Sequence, residues 1–278
     1  MNRAIVNDLS PYGAQAPHGL MRAILEATRT CPTTWAGKRR AFFLRGLAVK
    51  LLGGRPLDVE ALGARMRLYP ANNQCEKRVL FTPQYFDPAE RALLTNVAGE
   101  ETQFVDIGAS AGSYALFMGA LTGARAKITA IEPNPVTFER LVYNIRQNPF
   151  ATVKALDCAV ADREGEITLF LDADDQSRTS VRIADAQGGA LKVHARTLKA
   201  ILVSEGYERL DALKIDVAGA EDVILEPFFR EAAPGLWPRL ILCAHSHAAW
   251  SVDLERMMPA YGYREVLRSS ENICWQRA

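Results

Sequence analysis

The sequence predicts an α/β fold: a mostly parallel sheet with right-handed crossovers, an antiparallel hairpin at its C-terminal end and a helical extension in front. Three observations predict it. From residue 101 apolar, strand-like runs alternate with helical segments, the pattern of a parallel sheet. The stretch 104-FVDIGASAGSYALF-117 passes from a strand into a glycine- and alanine-rich turn and then a helix. The last stretch, 263-YREVLRSSENICWQR-277, is two short strands around Ser269-Ser270-Glu271-Asn272, a hairpin.

Taken in order, residues 1–17 are rich in Gly, Pro, Ala and Asn without periodicity, and are expected to drape over the surface. Leu20 to Thr28 and Lys38 to Leu52 have helical patterns; Gly53-Gly54 and Pro56 end the second. Between Glu26 and Asp58 every charged residue is basic: Arg29, Lys38, Arg39, Arg40, Arg45, Lys50 and Arg55. Two readings stay open for residues 38–52. The helix packs on the main domain or a second subunit with its basic side to water, or it lies on an anionic membrane surface, although Arg40 interrupts its apolar face. Residues 1–64 are expected to form the helical extension and 65–278 the main domain, with a ligand-binding core from about residue 101.

Strands are expected at Phe104–Ile107, Lys127–Ile131, Thr152–Leu156, Leu210–Val217 and Arg239–Cys243, with helices near Gly112–Leu121 and Pro135–Gln147. Between the third and fourth strands, 165-GEITLFLDAD-174 and 191-LKVHARTL-198 form a strand-rich insert.

Composition bounds the function. A net charge of +1 offers no general attraction to nucleic acid or to anionic membranes, and no run of 18 apolar residues reads as a membrane span. The N-terminus lacks the apolar core of a secretory signal, and five scattered cysteines without a CxxC pair argue against a disulfide framework or structural zinc. A cytoplasmic location is expected.

In an open parallel sheet, ligands sit at the carboxyl ends of the strands where the strand order switches. The first strand–helix turn, Asp106-Ile107-Gly108-Ala109-Ser110-Ala111-Gly112, lets backbone approach a ligand at Gly108 and Gly112. Its following helix start suits a carboxylate or phosphate. The spacing is G-x-x-x-G, not the G-x-G-x-x-G of dinucleotide enzymes. The second strand ends in Glu132-Pro133-Asn134-Pro135, and Glu132 follows Gly108 by 24 residues, a spacing that suits an acceptor for two ribose hydroxyls. Glu132 could also cap the helix at Pro135. The third tip, Leu156-Asp157-Cys158-Ala159, could flank an adenine through Asp157, or close a turn with Cys158 buried beside it. The fourth, 213-LKIDVAGAEDVIL-225, carries Asp216 at the end of an apolar strand.

A Rossmann-like sheet ending in an antiparallel hairpin is the outline of a class I methyltransferase, and the chain resembles the FkbM-type S-adenosylmethionine-dependent methyltransferases. The resemblance rests on 104-FVDIGASAGSYAL-116, 130-AIEPNPVTFERLVYNI-145, 159-AVADREGEITL-169 and 213-LKIDVAGAED-222, with 66-MRLYPANNQCEKRVLFTPQYFDPAERALL-94 upstream. It covers roughly residues 65 to 278. It implies S-adenosyl-L-methionine as cofactor, with Asp106, Gly108, Ala109, Ser110 and Gly112 around the methionine part. Glu132, with Pro133 and Asn134, would hold the ribose, and Asp157 and Cys158 would lie toward the adenine. Asp216 would face the methyl group. The family usually has Asn at Ser110, Glu at Ala218 and an acidic residue after the fifth strand, where this chain reads 240-LILCAHSHAAW-250.

Methyl transfer to a hydroxyl benefits from a general base, and Asp216, His245 and His247 are the candidates. If the fifth strand continues, Cys243, His245 and His247 alternate onto one face, and the two histidines could alternatively bind a metal with Asp216. No metal site is assigned. Trp250, Trp237 and Tyr114 could line an acceptor pocket or belong to the core, and His194 is expected to be structural. The expected activity is O-methylation of a hydroxyl on a sugar, glycan or small natural product. The alternatives are a catalytically impaired cofactor-binding interaction protein and, more remotely, a nucleotide-dependent oxidoreductase. The insert and the N-terminal hundred residues are expected to shape the acceptor pocket.

Overall fold

A computed structural model describes residues 7–171, 179–180, 190–245 and 250–277. Two helices lead, α1 (Gly19–Arg29) and α2 (Trp35–Leu52), then a hairpin of β1 (Leu57–Ala61) and β2 (Ala64–Leu68), and helices α3 (Gln74–Phe81) and α4 (Pro88–Val97). The alternating region follows as β3 (Gln103–Ile107), α5 (Ser113–Leu121), β4 (Lys127–Ile131), α6 (Pro135–Arg146) and β5 (Val153–Leu156). The insert contains β6 (Ala159–Val160), β7 (Gly165–Leu171), β8 (Thr179–Ser180) and β9 (Ala190–Arg196). Then come α7 (Leu198–Ser204), β10 (Ala212–Ile215), α8 (Glu221–Glu231), β11 (Leu240–Ala244), α9 (Leu254–Met257), β12 (Tyr263–Arg268) and β13 (Asn272–Arg277).

The central sheet has the order β12-β13-β11-β10-β3-β4-β5. β5, β4, β3, β10 and β11 are parallel, while β13 runs antiparallel between β11 and β12. The chain winds outward from β3 through β4 to β5 and returns to β10 on the other side of β3. The switch point, and with it the crevice for a ligand, lies between the carboxyl ends of β3 and β10. The insert is a separate sheet of order β6-β9-β7-β8; the end of its first stretch, residues 172–174, lies outside the described residues.

Strand alternation gives the sheet two covered faces. Phe104, Ala130, Ala212, Leu242 and Cys274 pack on one side with α1, α2, the β1–β2 hairpin and α5. Val105, Ile107, Ile131, Leu213, Ile215, Ile241 and Cys243 pack on the other with α7 and α8. The expected helical extension therefore shares the core of the sheet, and the β1–β2 hairpin crosses the expected boundary at residue 64.

Local chemistry accounts for the element limits. α2 begins three residues before its periodicity suggests because the Thr34 hydroxyl accepts from Gly37 N–H. Gly53, at φ 57°, closes its other end. β10 is shorter than its apolar run at both ends; past its carboxyl end Asp216 N–H still donates to Ile107 carbonyl before the backbone turns into positive φ at Ala218.

Residues 7–17 are draped as expected, and Arg67 pins them; residues 1–6 lie outside the described residues. Its side chain is 1% exposed and forms two bonds to Asp58, 2.7 and 2.8 Å. It also donates to the carbonyls of Asp8, Ser10 and Pro11. Asp58 in turn accepts from the backbone N–H groups of Gly13 and Gln15. Removing one partner leaves a buried charge uncompensated, so Asp58→Ala is expected to cost about 3–5 kcal/mol in urea unfolding. An unchanged midpoint would show that the segment is not held this way.

Candidate active site

Two chambers open at the switch point and share Gly108 and Asp216. The first, about 260 Å³, lies between Glu132 and Pro133 on one side and Val160, Ile167 and Leu169 of the insert on the other. The second, about 520 Å³, is lined by Asp106, Tyr114, Lys214 and His245 together with Arg78 and Asp87 from the N-terminal half. Both are of ligand-pocket scale. The ridge between them is tight: a Cβ on Gly108, whose φ is 76°, would stand 2.0 Å from the Asp216 carbonyl oxygen. Only glycine allows β3 and β10 to approach this closely while the turn takes that dihedral.

A buried charge cluster floors the second chamber. Lys214 and Asp106 are direct register partners on adjacent strands and point to the same face. Both side chains are buried. Lys214 Nζ lies 3.5 Å from the exposed Asp216 carboxylate and 5.5 Å from the Tyr114 ring centroid. Burial presses the Lys214 pKa down, but Asp216 and Asp106 outweigh it and hold the ammonium above its usual value. Burial pushes the Asp106 carboxyl up to about 7, against the Lys214 ammonium and the Ala115 N–H, with Asp216 and Glu132 adding to the rise. Tyr114 donates to Asp87, which Arg78 also contacts at 2.6 Å.

Glu132 is buried, and its two oxygens accept from Ser110 N–H at 2.8 Å and Asn134 N–H at 2.9 Å. It thus ties the turn after β3 to the tip of β4. A carboxylate has about four lone-pair positions, so acceptor capacity remains toward the first chamber. Asn134, not Glu132, caps α6, accepting from Val136 N–H. The expectation that the turn's amides face a ligand carboxylate is narrowed: Gly108 and Ala109 donate to Ile131 carbonyl and Ser110 to Glu132. The start of α5, at Ser113 and Tyr114, opens on the second chamber instead.

The remaining expected residues divide. Asp106, Gly108, Ala109, Ser110, Asp216 and His245 line the second chamber; Gly108, Glu132, Pro133, Cys158 and Asp216 line the first. Gly112, at φ 95°, packs against Leu141 and Leu116. Asp157 is exposed and lines neither chamber, whereas Asp162 and Arg163 line the first. Asp106 and Glu132 share a sheet face, because Asp106 pairs with Ala130 and Glu132 lies two residues farther on. They nonetheless open on different chambers. The insert borders the first chamber and the N-terminal half the second, so these segments do not shape one common pocket.

His245 Nε2 lies 3.2 Å from Arg268 Nη1. A guanidinium only donates, so that nitrogen accepts and the ring proton is assigned to Nδ1. His247 lies outside the described residues. Among those described, no three His, Cys, Asp or Glu side chains converge as a metal site. Trp237 and Trp250 belong to the core packing, and Trp250 donates to Glu221. Sequence reasoning missed Lys214, Arg78, Asp87 and Asn272. Lys214 was legible as a lysine inside an apolar strand; the others reach the chamber through tertiary packing.

The strand order and the chambers at its switch point define a class I methyltransferase fold. Residues 106–265 match the Methyltransferase FkbM domain, and the chain belongs to that family. It is 32% identical over 152 residues to methyltransferase sdnD of Sordaria araneosa, covering 44% of this chain and 58% of that protein. The chain thus spans little more than half the length of this curated relative. Among solved structures, Trm5b from Pyrococcus abyssi gives a TM-score of 0.43 at 15% identity, covering 80% of this chain and 55% of that one. M. jannaschii TYW2 in complex with AdoMet gives 0.41 at 13% identity, covering 80% and 87%. No described helix is long and apolar enough to cross a membrane.

Two outcomes test the geometry. Gly108→Ala must push the β3 and β10 tips apart and strain the turn, and is expected to destabilise the fold by about 1–3 kcal/mol. A thermal midpoint equal to the parent would contradict the tight ridge. Lys214→Met removes the cation opposing Asp106, so the Asp106 carboxyl should titrate above 7. The carboxyl carbon shift of labelled aspartate reads this; a titration that does not move would show the two groups to be uncoupled.

Proposed function

We propose that this protein transfers the methyl group of S-adenosyl-L-methionine to a hydroxyl oxygen on a sugar, glycan or small natural product. The observation that carries the reading is the pair of chambers meeting at Gly108 and Asp216, one walled by apolar groups beside Glu132, the other floored by buried charge. The residues fit the cofactor. The first chamber takes the adenosyl part between Ile131, Val160, Ile167 and Val217, with Glu132 receiving the ribose hydroxyls and Pro133 and Cys158 closing the wall. Asp106 receives the ammonium of the methionine part near the start of α5. Asp157, being exposed, is left out of the adenine contact.

The bound cofactor supplies an electrophilic methyl group on a sulfonium. Displacement at such a methyl needs alignment above all, and positioning can be worth effective molarities on the order of 10⁵ M. The second chamber places the acceptor beside Asp216, whose carboxylate accepts the hydroxyl proton. Lys214 Nζ, 3.5 Å away, holds the Asp216 carboxylate in place. His245 is the weaker candidate, because its Nε2 already accepts from Arg268. Ala218 lines this chamber where family members usually carry an acid, which favours a second reading as a cofactor-binding protein without turnover.

Calorimetric titration with S-adenosylhomocysteine tests the cofactor site. Asp106 must ionise before it can pair with the ligand's ammonium. Affinity should therefore rise about tenfold per pH unit up to about 7 and level off above it. Asp106→Asn should weaken binding about 10- to 100-fold and remove the slope. No binding at any pH would end the methyltransferase reading. A labelled-methyl screen against hydroxyl acceptors tests the chemistry: Asp216→Asn should lower kcat by about 10²–10⁴ with cofactor affinity kept. Binding without transfer to any acceptor would support the second reading.

A further inference from the structure

Helix α2 presents a face left exposed among the described residues. Its inner side, Gly37, Ala41, Ala48 and Leu52, packs into the core. On the outer side, Trp35, Arg39, Phe43, Leu47 and Leu51 follow at four-residue spacing and form one ridge that winds from the far face toward the core edge. Trp35 is 73% exposed, Phe43 74%, Leu47 43% and Leu51 48%. Such large apolar groups, gathered on one helix face, mark an interaction surface.

The charge around the ridge selects the occupant. Arg39, Arg40 and Lys50 are exposed, and none pairs with an acid among the described residues. Arg39 lies 4.8 Å over the Trp35 ring, keeping its guanidinium at the level of the apolar row. No acidic residue occurs between Glu26 and Asp58. A two-fold contact of this face with its own copy would set one basic patch against another, since an isologous interface uses the same patch on both subunits. An anionic phospholipid surface satisfies both halves of the pattern, taking the aromatic and leucine side chains into its headgroup region and the cations against its phosphates.

We infer that α2 is a membrane-surface docking element: it lies in the interface of an anionic bilayer along the Trp35–Leu51 ridge. Arg40 falls within the arc of the ridge, between Leu47 and Leu51 on a wheel, and its long side chain carries its charge outward to the phosphates. Lys38, Phe42 and Arg45 of the same helix line an outer chamber of about 410 Å³. That chamber and the second chamber of the site share Arg78, Asp87 and Glu271. Docking thus sets the lipid surface beside the acceptor side of the molecule.

Flotation of the full chain with vesicles tests this without reference to methyl transfer. Vesicles of phosphatidylcholine with 30% phosphatidylglycerol should bind at least tenfold more protein than phosphatidylcholine alone, and the difference should shrink with added salt. Phe43→Glu/Leu47→Glu, exposed positions whose change leaves the core intact by circular dichroism, should abolish flotation. Arg39→Glu/Arg40→Glu should weaken it selectively on the anionic vesicles. Equal binding to both vesicle types, or none, overturns the inference. So does a dimer by light scattering that the Phe43→Glu/Leu47→Glu variant converts to monomer, since the ridge would then be a subunit contact.

Discussion

A lysine ammonium buried under the carboxyl ends of a parallel sheet must be neutralised by its neighbours. Lys214 is held between Asp106 on the adjacent strand and Asp216 at its own strand's tip. An isolated buried cation would shift its pKa and lose its charge. With two carboxyl groups nearby the ammonium persists, and it in turn opposes the rise that burial imposes on Asp106. Burial raises the Asp106 carboxyl to about 7, while the Asp216 side chain projects outward. The local field of the second chamber follows from this arrangement of three side chains on β3 and β10.

That electrostatic cluster requires the backbone to close around it. Gly108 lets the turn after β3 run against the Asp216 carbonyl, and Glu132 holds the same turn from the β4 side through Ser110 N–H. The three strand tips are therefore linked to one another directly. The result divides the crevice into an apolar-walled half and a charged half. A ligand combining an aromatic nucleoside with a zwitterionic amino acid matches that division.

The N-terminal half completes the charged chamber. Arg78 and Asp87 come from α3 and the start of α4, and Asp87 fixes the Tyr114 hydroxyl. The same half carries α2, one face of which supports the core while the other remains open to an external surface. Methyl transfer and membrane docking would then be served by elements that share one hydrophobic cluster. This half borders the second chamber, whereas the insert borders the first.

Most of the architecture was legible in the chain itself, because alternation between strand and helix is a local property. The limits of β3, β4, α5, α6 and the terminal hairpin fall within a residue or two of those read from periodicity. The glycine turn, Asp106 and Glu132 were legible for the same reason: each sits at a fixed offset from a strand end. The short β1–β2 hairpin and α3 were not, having weak periodicity and taking their order from the core they cover. The placing of Lys214 opposite Asp106 arises from the pairing of strands more than a hundred residues apart in sequence. The division of the site into two chambers, and the way Arg268 occupies a nitrogen of His245, depend likewise on which segments the sheet brings together. Local sequence sets what each strand tip carries; only the closing of the sheet decides which tips meet, because register and burial are properties of the assembled strands.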